Sequence, residues 1–219
     1  MEYTTKCLTV GMALLILLAS LTAVSYAGQT GTKNTIHVAC VGDSITADTG
    51  YPEYLGTKLG ANYTIGDFGV GRTTVSLDFN KPYMNQMACQ NALRFSPDIV
   101  VIMLGTNDAY LSSQQRSNFT DDYKTLIEQF QELSSEPEIF IAVPPPVFNN
   151  TLGLNATVVD DTVIPLVMQT ASDVGLQTID VHTPLINHPE DFKDGVHPNS
   201  EGAQIVATTV FDSITEDSG

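Results

Sequence analysis

The sequence predicts an α/β fold, a three-layer α/β/α sandwich around a five-stranded parallel sheet. Three observations carry this expectation. Five strand-length runs are largely apolar on successive positions, as strands covered on both faces require. Stretches of helical spacing follow the later runs, and strand, helix, strand in repetition builds a parallel sheet with helices on its faces. The 219 residues are 42% hydrophobic and only 16% charged, the profile of a folded chain with one sizeable core.

Residues 1–27 stand apart from that pattern. Lys6 and the amino terminus precede an apolar run from Leu8 to Val24, and the small residues Ser25 and Ala27 form an A-x-A-like cleavage signal before Gly28. The segment reads as a secretory signal peptide, with an uncleaved anchor as the alternative because the run is nearly long enough to span a bilayer. Residues 28–35 then form a polar linker to a domain over 36–219. Within it the strand runs are 36–42, 62–66, 98–104, 138–143 and 176–181. Tyr123, Leu126, Ile127, Phe130 and Leu133 recur at helical spacing after Asp121-Asp122, two acids suited to a helix N-terminus. A second helix is expected over 160–174, stopped by Gly175, and a closing helix over 199–214 capped by Asn199 or Ser200. No internal repeat and no second domain are visible.

Charge excludes some functions. The net charge of −16 comes from 25 acidic residues against 9 basic ones, so the basic stripe that phosphate binding needs is missing and no nucleic-acid partner is expected. The same field repels anionic membrane surfaces, and no stable membrane association is expected once the signal is removed. Cleavage leaves Cys40 and Cys89, which either pair in an oxidising compartment or stay as buried thiols. Neither belongs to a zinc-ligand spacing, and no metal or other cofactor is expected. Asn62, Asn118, Asn149 and Asn155 stand in N-x-S/T, which permits glycosylation in a eukaryotic host.

In an open parallel sheet, ligands bind beyond the carboxyl ends of the strands, so the residues just after each run deserve inspection. Ser44 follows the first run in Gly42-Asp43-Ser44-Ile45. Gly69-Val70-Gly71-Arg72-Thr73 follows the second, a loop whose backbone N–H groups can face a ligand. Asn107 follows the third in Gly105-Thr106-Asn107-Asp108, and Asp194-Gly195-Val196-His197 follows the fifth. Singly, each has a plain structural explanation, such as a helix cap for Ser44 or a turn for Asn107. Together they assemble a nucleophile, a base, a carboxylate to orient the base and oxyanion donors, the set that acyl transfer to serine needs. Asp180 with His182 is the competing acid–histidine pair; if it lies in the strand, alternation turns it to a sheet face instead of the edge.

At these positions the chain resembles the SGNH/GDSL hydrolase superfamily. GDSI (42–45), FGVGRTT (68–74), GTND (105–108) and DGVHPN (194–199) match its four ordered blocks, over most of the chain from Val38 to about Val210. The resemblance implies a flavodoxin-like sandwich and a serine esterase, with Ser44 as nucleophile, His197 as base and Asp194 as its partner. It also implies an oxyanion hole from the Ser44 N–H, the Gly71 N–H and the Asn107 side chain. The second block departs from the family pattern N-F-G-V-x-G by opening on Asp67 and running one residue shorter, which leaves Gly69 as an alternative to Gly71.

The run from 81 to 108 is similar to the branch that removes acetyl groups from sugars, including sialate O-acetylesterases. That implies an enzyme acting on acetyl-type esters of a glycan or small molecule; the leader over residues 1–27 makes it a secreted one, and the lack of a long apolar lid segment favours short acyl chains. Tyr51, Tyr54, Tyr83, Tyr110 and Phe148 are candidate walls for stacking on sugar rings. Arg72 is a candidate partner for a substrate carboxylate, against a salt bridge to Asp67 or Asp78. A lysophospholipase or thioesterase of the same superfamily, and a glycan-binding module without chemistry, stand as alternatives.

Overall fold

A computed structural model describes residues 35–216 of the protein. The signal-peptide reading of residues 1–27 and all but the last residue of the 28–35 linker lie outside the described residues. Five parallel strands form one sheet in the order β2-β1-β3-β4-β5. They are β1 (Ile36–Gly42), β2 (Tyr63–Gly69), β3 (Ile99–Met103), β4 (Glu138–Val143) and β5 (Gln177–Asp180). The order reverses direction beside β1, since β2 lies on one side of it and β3 on the other. That reversal opens a crevice between the carboxyl ends of β1 and β3, where a ligand can enter.

Strand alternation feeds two separate cores. Ala39, Val41, Val100, Ile102, Ile139 and Ile141 point to one face, where α3 (Met87–Arg94), α4 (Phe119–Gln131) and α5 (Ile164–Val174) pack on them. Val38, Cys40, Val101, Met103, Phe140 and Ile179 point to the other, covered by α1 (Ser44–Thr49), α2 (Tyr51–Leu59) and α6 (Ser200–Glu216). The three-layer sandwich is therefore built as the apolar runs require. Cys40 and Cys89 lie in opposite cores and are free buried thiols, because the sheet separates them. Burial pushes the Cys40 thiol up to about 12 and that of Cys89 up to about 11, so both are held in the thiol form.

The differences from expectation sit at the edges. β2 continues to Gly69 and has no fully buried residue, and β5 buries only Ile179; edge strands are covered less completely than the central three, so polar Thr64, Asp67 and Gln177 are tolerated there. The side chain of Asp67 ends β2 by accepting the Gly69 N–H at 2.8 Å. Short α1, α2 and α3 carry too few residues for a helical period to stand out. The segment before α5 starts earlier than expected, at Asn155, whose side chain accepts the Thr157 N–H. A π-helical turn spans Val159–Val163 just ahead of Pro165. Proline has no N–H to give the carbonyl four residues back, so the regular ladder is interrupted there. Asn199 caps α6, its side chain accepting from the N–H groups of Glu201 and Gly202.

Candidate active site

The crevice between β1 and β3 receives side chains from four loops. β1 ends at Gly42, where an added Cβ would stand 2.8 Å from the Met103 carbonyl oxygen; glycine lets the chain turn there beside β3. Asp43, not Ser44, is the cap of α1, its carboxylate accepting the Ile45 N–H at 2.9 Å. The Ser44 hydroxyl is thereby left for another partner. His197 Nε2 lies 2.9 Å from Ser44 Oγ, and His197 Nδ1 lies 2.8 Å from Asp194 Oδ2. In the tautomer this line requires, Nδ1–H donates to the carboxylate and Nε2 accepts from the hydroxyl.

The 194–197 loop is shaped to hold that line. Asp194 Oδ1 accepts the N–H groups of Val196 and His197 at 3.0 and 2.9 Å. Partial burial pushes the Asp194 carboxyl up, but the N–H donations and the imidazole bond outweigh it and hold the group below the usual carboxylate range. Gly195 takes φ +83, and a Cβ there would lie 2.4 Å from the Asn149 carbonyl oxygen. The Gly195 carbonyl accepts the Phe148 N–H at 2.7 Å, which ties the loop to the segment after β4.

Three kinds of donor border Ser44. Its own N–H has no acceptor among the described hydrogen bonds, as befits the first residue of a helix. Gly71 lies alongside, with the position of its absent Cβ 3.6 Å from the Ser44 Cβ. Asn107, in the 3-10 turn Thr106–Tyr110 after β3, directs its side-chain nitrogen to Asp43 Oδ2 and to the Thr73 carbonyl, both at 3.1 Å. Both hydrogens of that amide are thus engaged in the resting site. Ser44, Gly71, Arg72, Asn107, Tyr110 and His197 share one cavity of about 860 Å³.

Two buried acids, Asp43 and Asp108, support this array from behind, and nothing in the sequence marks either beyond its place in a motif. Asp108 accepts the N–H groups of Val75 and Ser76 at 2.9 Å each and so anchors the loop after β2 to the exit of β3. Burial raises its carboxyl to about 6, and burial raises that of Asp43 to about 7, against the hydrogen bonds each receives. Their neighbours in GDSI and GTND were the available signal. Lys81 is the third residue not anticipated; it lines the cavity with nothing in its local sequence to mark it.

Other expectations need correction. Tyr51 and Tyr83 are fully buried core residues, since both sit where helical turns press on the sheet. Tyr54 packs against the second core, and Phe148 stacks edge-on with Phe192 at 4.9 Å. Of the five aromatic wall candidates only Tyr110 borders the cavity, its hydroxyl donating to the Leu152 carbonyl at 2.8 Å. Arg72 is exposed and forms no ion pair among the described residues, so neither Asp67 nor Asp78 holds it. Asp180 is occupied as a cap, accepting from the His182 and Thr183 N–H groups and the Thr183 hydroxyl. His182 turns instead to the Pro144 carbonyl. Among the described residues, ligand atoms that could share an ion converge at His188, Glu190 and Asp191, none of which lines the cavity.

Comparison with known proteins places this geometry in context. The family model described as GDSL-like lipase/acylhydrolase matches residues 40–205. An acetylxylan esterase of Xylanibacter ruminicola is 34% identical over 209 residues, covering 83% of this chain and 44% of the relative. A multidomain esterase of Ruminococcus flavefaciens is 27% identical over 113 residues, covering 50% of this chain and 14% of the relative. The chain thus spans less than half the length of the curated relatives it matches. Among solved structures, a lipase/acylhydrolase of Enterococcus faecalis is similar with a TM-score of 0.69 at 18% identity, over 83% of this chain and 96% of that one. A carbohydrate acetylesterase of Sinorhizobium meliloti is similar with a TM-score of 0.66 at 17% identity, over 83% and 99%. At those identities the likeness is one of fold.

Proposed function

The chain belongs to the GDSL-like lipase/acylhydrolase family, and from that premise we propose that it is a secreted serine esterase that removes acetyl groups from carbohydrate. The observation that carries the reading is the unbroken line from Ser44 Oγ to His197 Nε2 at 2.9 Å and from His197 Nδ1 to Asp194 at 2.8 Å. His197 takes the serine proton as Ser44 attacks the ester carbonyl, and Asp194 stabilises the imidazolium that forms. The tetrahedral oxyanion is received by the Ser44 N–H, the Gly71–Arg72 turn and the Asn107 amide, each worth about 3 kcal/mol of barrier. Asn107 reaches it by giving up one of its two resting bonds, both 3.1 Å. His197 then protonates the departing sugar hydroxyl, and water repeats the cycle on the acyl-enzyme.

The acetyl and carbohydrate parts of the reading are supported by the acetylxylan esterase relative. Tyr110 and Arg72 on the cavity wall supply a ring for stacking on a sugar and a cation free for a carboxylate or hydroxyl. Secretion is supported by the leader pattern of residues 1–27. The experiment is a comparison of p-nitrophenyl acetate, a long-chain p-nitrophenyl ester and acetylated xylo-oligosaccharide, for wild type and Ser44→Ala. The reading expects acetate release from both acetyl substrates, activity falling steeply beyond about four acyl carbons, and none in the variant above background. Preference for the long-chain ester points to a lysophospholipase or thioesterase. Absence of all turnover with retained glycan binding points to a binding module.

A further inference from the structure

Lys81 presents an unusual pairing for a chain with net charge −16. Acidic partners are abundant, yet its ammonium makes no ion pair among the described residues; it donates to the neutral carbonyl of Gly71 at 2.7 Å. Holding a lysine side chain in one place costs rotamer entropy of roughly 1.5–2 kcal/mol, so the contact requires a return in structure or chemistry. The backbone of Lys81 is itself tied to the same loop, because its carbonyl accepts the Thr74 N–H at 3.2 Å while the Thr74 carbonyl accepts the Tyr83 N–H at 2.9 Å. The Tyr83 hydroxyl continues the tie to the Phe68 carbonyl, inside β2.

The carbonyl that Lys81 grips belongs to the central peptide of a tight turn. The Thr73 N–H donates to the Val70 carbonyl at 3.3 Å, and Arg72 takes φ +66 while Gly71 does not have positive φ. That is the sign pattern of a type II turn, with arginine where glycine is the easy residue. The flanking N–H groups are spent, Val70 on the Gly42 carbonyl and Thr73 on Val70. The N–H groups of Gly71 and Arg72 have no acceptor among the described hydrogen bonds, and both residues line the cavity with Ser44. A planar trans peptide points its C=O and its N–H in opposite directions. Drawing the Gly71 carbonyl to Lys81 therefore sends the Arg72 N–H the other way.

We propose that Lys81 is a positioning residue for the oxyanion hole, and that the backbone donor it positions beside Ser44 is the N–H of Arg72, one residue beyond the Gly71 donor expected from sequence. The proposal rests on the serine-esterase reading. Its chemistry has two parts. The ammonium fixes the plane of the Gly71–Arg72 peptide, holding Arg72 in its strained backbone conformation. It also polarises the peptide, so that the series ammonium, carbonyl, amide N–H, oxyanion carries positive charge at one end as negative charge develops at the other. Such a contact acts on the transition state more than on bound ester.

The test uses Lys81→Met and Lys81→Arg with p-nitrophenyl acetate, together with inhibition by methylboronic acid, whose serine adduct places a tetrahedral centre and an oxygen in the hole. The esterase reading is checked first, by wild-type turnover that Ser44→Ala abolishes; without it, that reading fails before Lys81 is tested. Given turnover, Lys81→Met is expected to lower kcat 10- to 100-fold with KM within about threefold, and to weaken the boronate by a similar factor. Lys81→Arg, which keeps the cation and its donors, is expected to recover most of the loss. Circular dichroism checks the fold, and Lys81→Gln replaces the methionine variant, under the same thresholds, should that variant not fold. A kcat within threefold of wild type overturns the proposal. A fall in kcat with boronate affinity intact also overturns it, leaving Lys81 as a loop anchor only.

Discussion

The side-chain nitrogen of Asn107 lies 3.1 Å from the buried carboxylate of Asp43, joining the exit of β3 to the exit of β1 directly behind Ser44. Burial raises the Asp43 carboxyl to about 7, against about 3.9 for an unfolded aspartate. The folded protein therefore binds this proton more tightly than the unfolded chain. Its contribution to stability is fully present below about pH 4 and is lost as pH rises through about 7. Asp108, raised to about 6, acts in the same direction.

From this, urea unfolding should show stability falling between pH 5 and pH 8, with Asp43 contributing about 2–3 kcal/mol of the fall. Asp43→Asn removes the titration while keeping an oxygen for the Ile45 N–H, so its stability should change less across the same interval. An equally steep fall in the variant would mean that Asp43 is already ionised in the folded state.

Asp194 and Asp180 separate a carboxylate that orients a histidine from one that caps a turn. Asp194→Asn should lower kcat by up to roughly four decades with the protein still folded. Asp180→Asn should leave kcat within about threefold and cost about 1 kcal/mol of stability through the weakened cap at Thr183. Steady-state kinetics and thermal melts on the two variants check both halves.

Gly195 and Gly175 make a matched pair for the shape of the His197 loop. Both take positive φ, +83 and +69, but a Cβ meets the Asn149 carbonyl oxygen at 2.4 Å in the first case and nothing within 4 Å in the second. Gly175→Ala should cost about 1–2 kcal/mol for the left-handed backbone alone and leave activity unchanged. Gly195→Ala should cost more and also reduce kcat, because the loop must shift and carry His197 with it. Melting temperatures and kcat for the two variants measure the difference.

The central strands and much of the candidate site were legible for the same reason: a buried parallel strand must be apolar throughout, and its carboxyl end is where a site is built. Ser44 and Asn107 follow such runs directly, Asp194 and His197 come from the loop well beyond the sparsely buried β5, and the four meet in one cavity or line. Less visible were features that depend on packing between distant segments. Tyr51 and Tyr83 read as wall residues because a sequence does not say whether a tyrosine faces a cleft or a core. Lys81 reaches Gly71 only because the chain doubles back at Thr74, and Asp43 and Asp108 gain their raised pKa values from burial that no local pattern announces. The π-turn before α5 was signalled by Pro165 alone.

The identity of the nucleophile is tested most directly by covalent capture. The purified protein, treated with a small fluorophosphonate and digested, is mapped by mass spectrometry while residual p-nitrophenyl acetate hydrolysis is followed in the same samples. One phosphonyl group per chain is expected on Ser44, rising in step with the loss of activity, and none in Ser44→Ala or, at the same rate, in His197→Ala. Stoichiometric labelling at another residue that tracks inactivation, or hydrolysis by Ser44→Ala at the wild-type rate, would contradict the account.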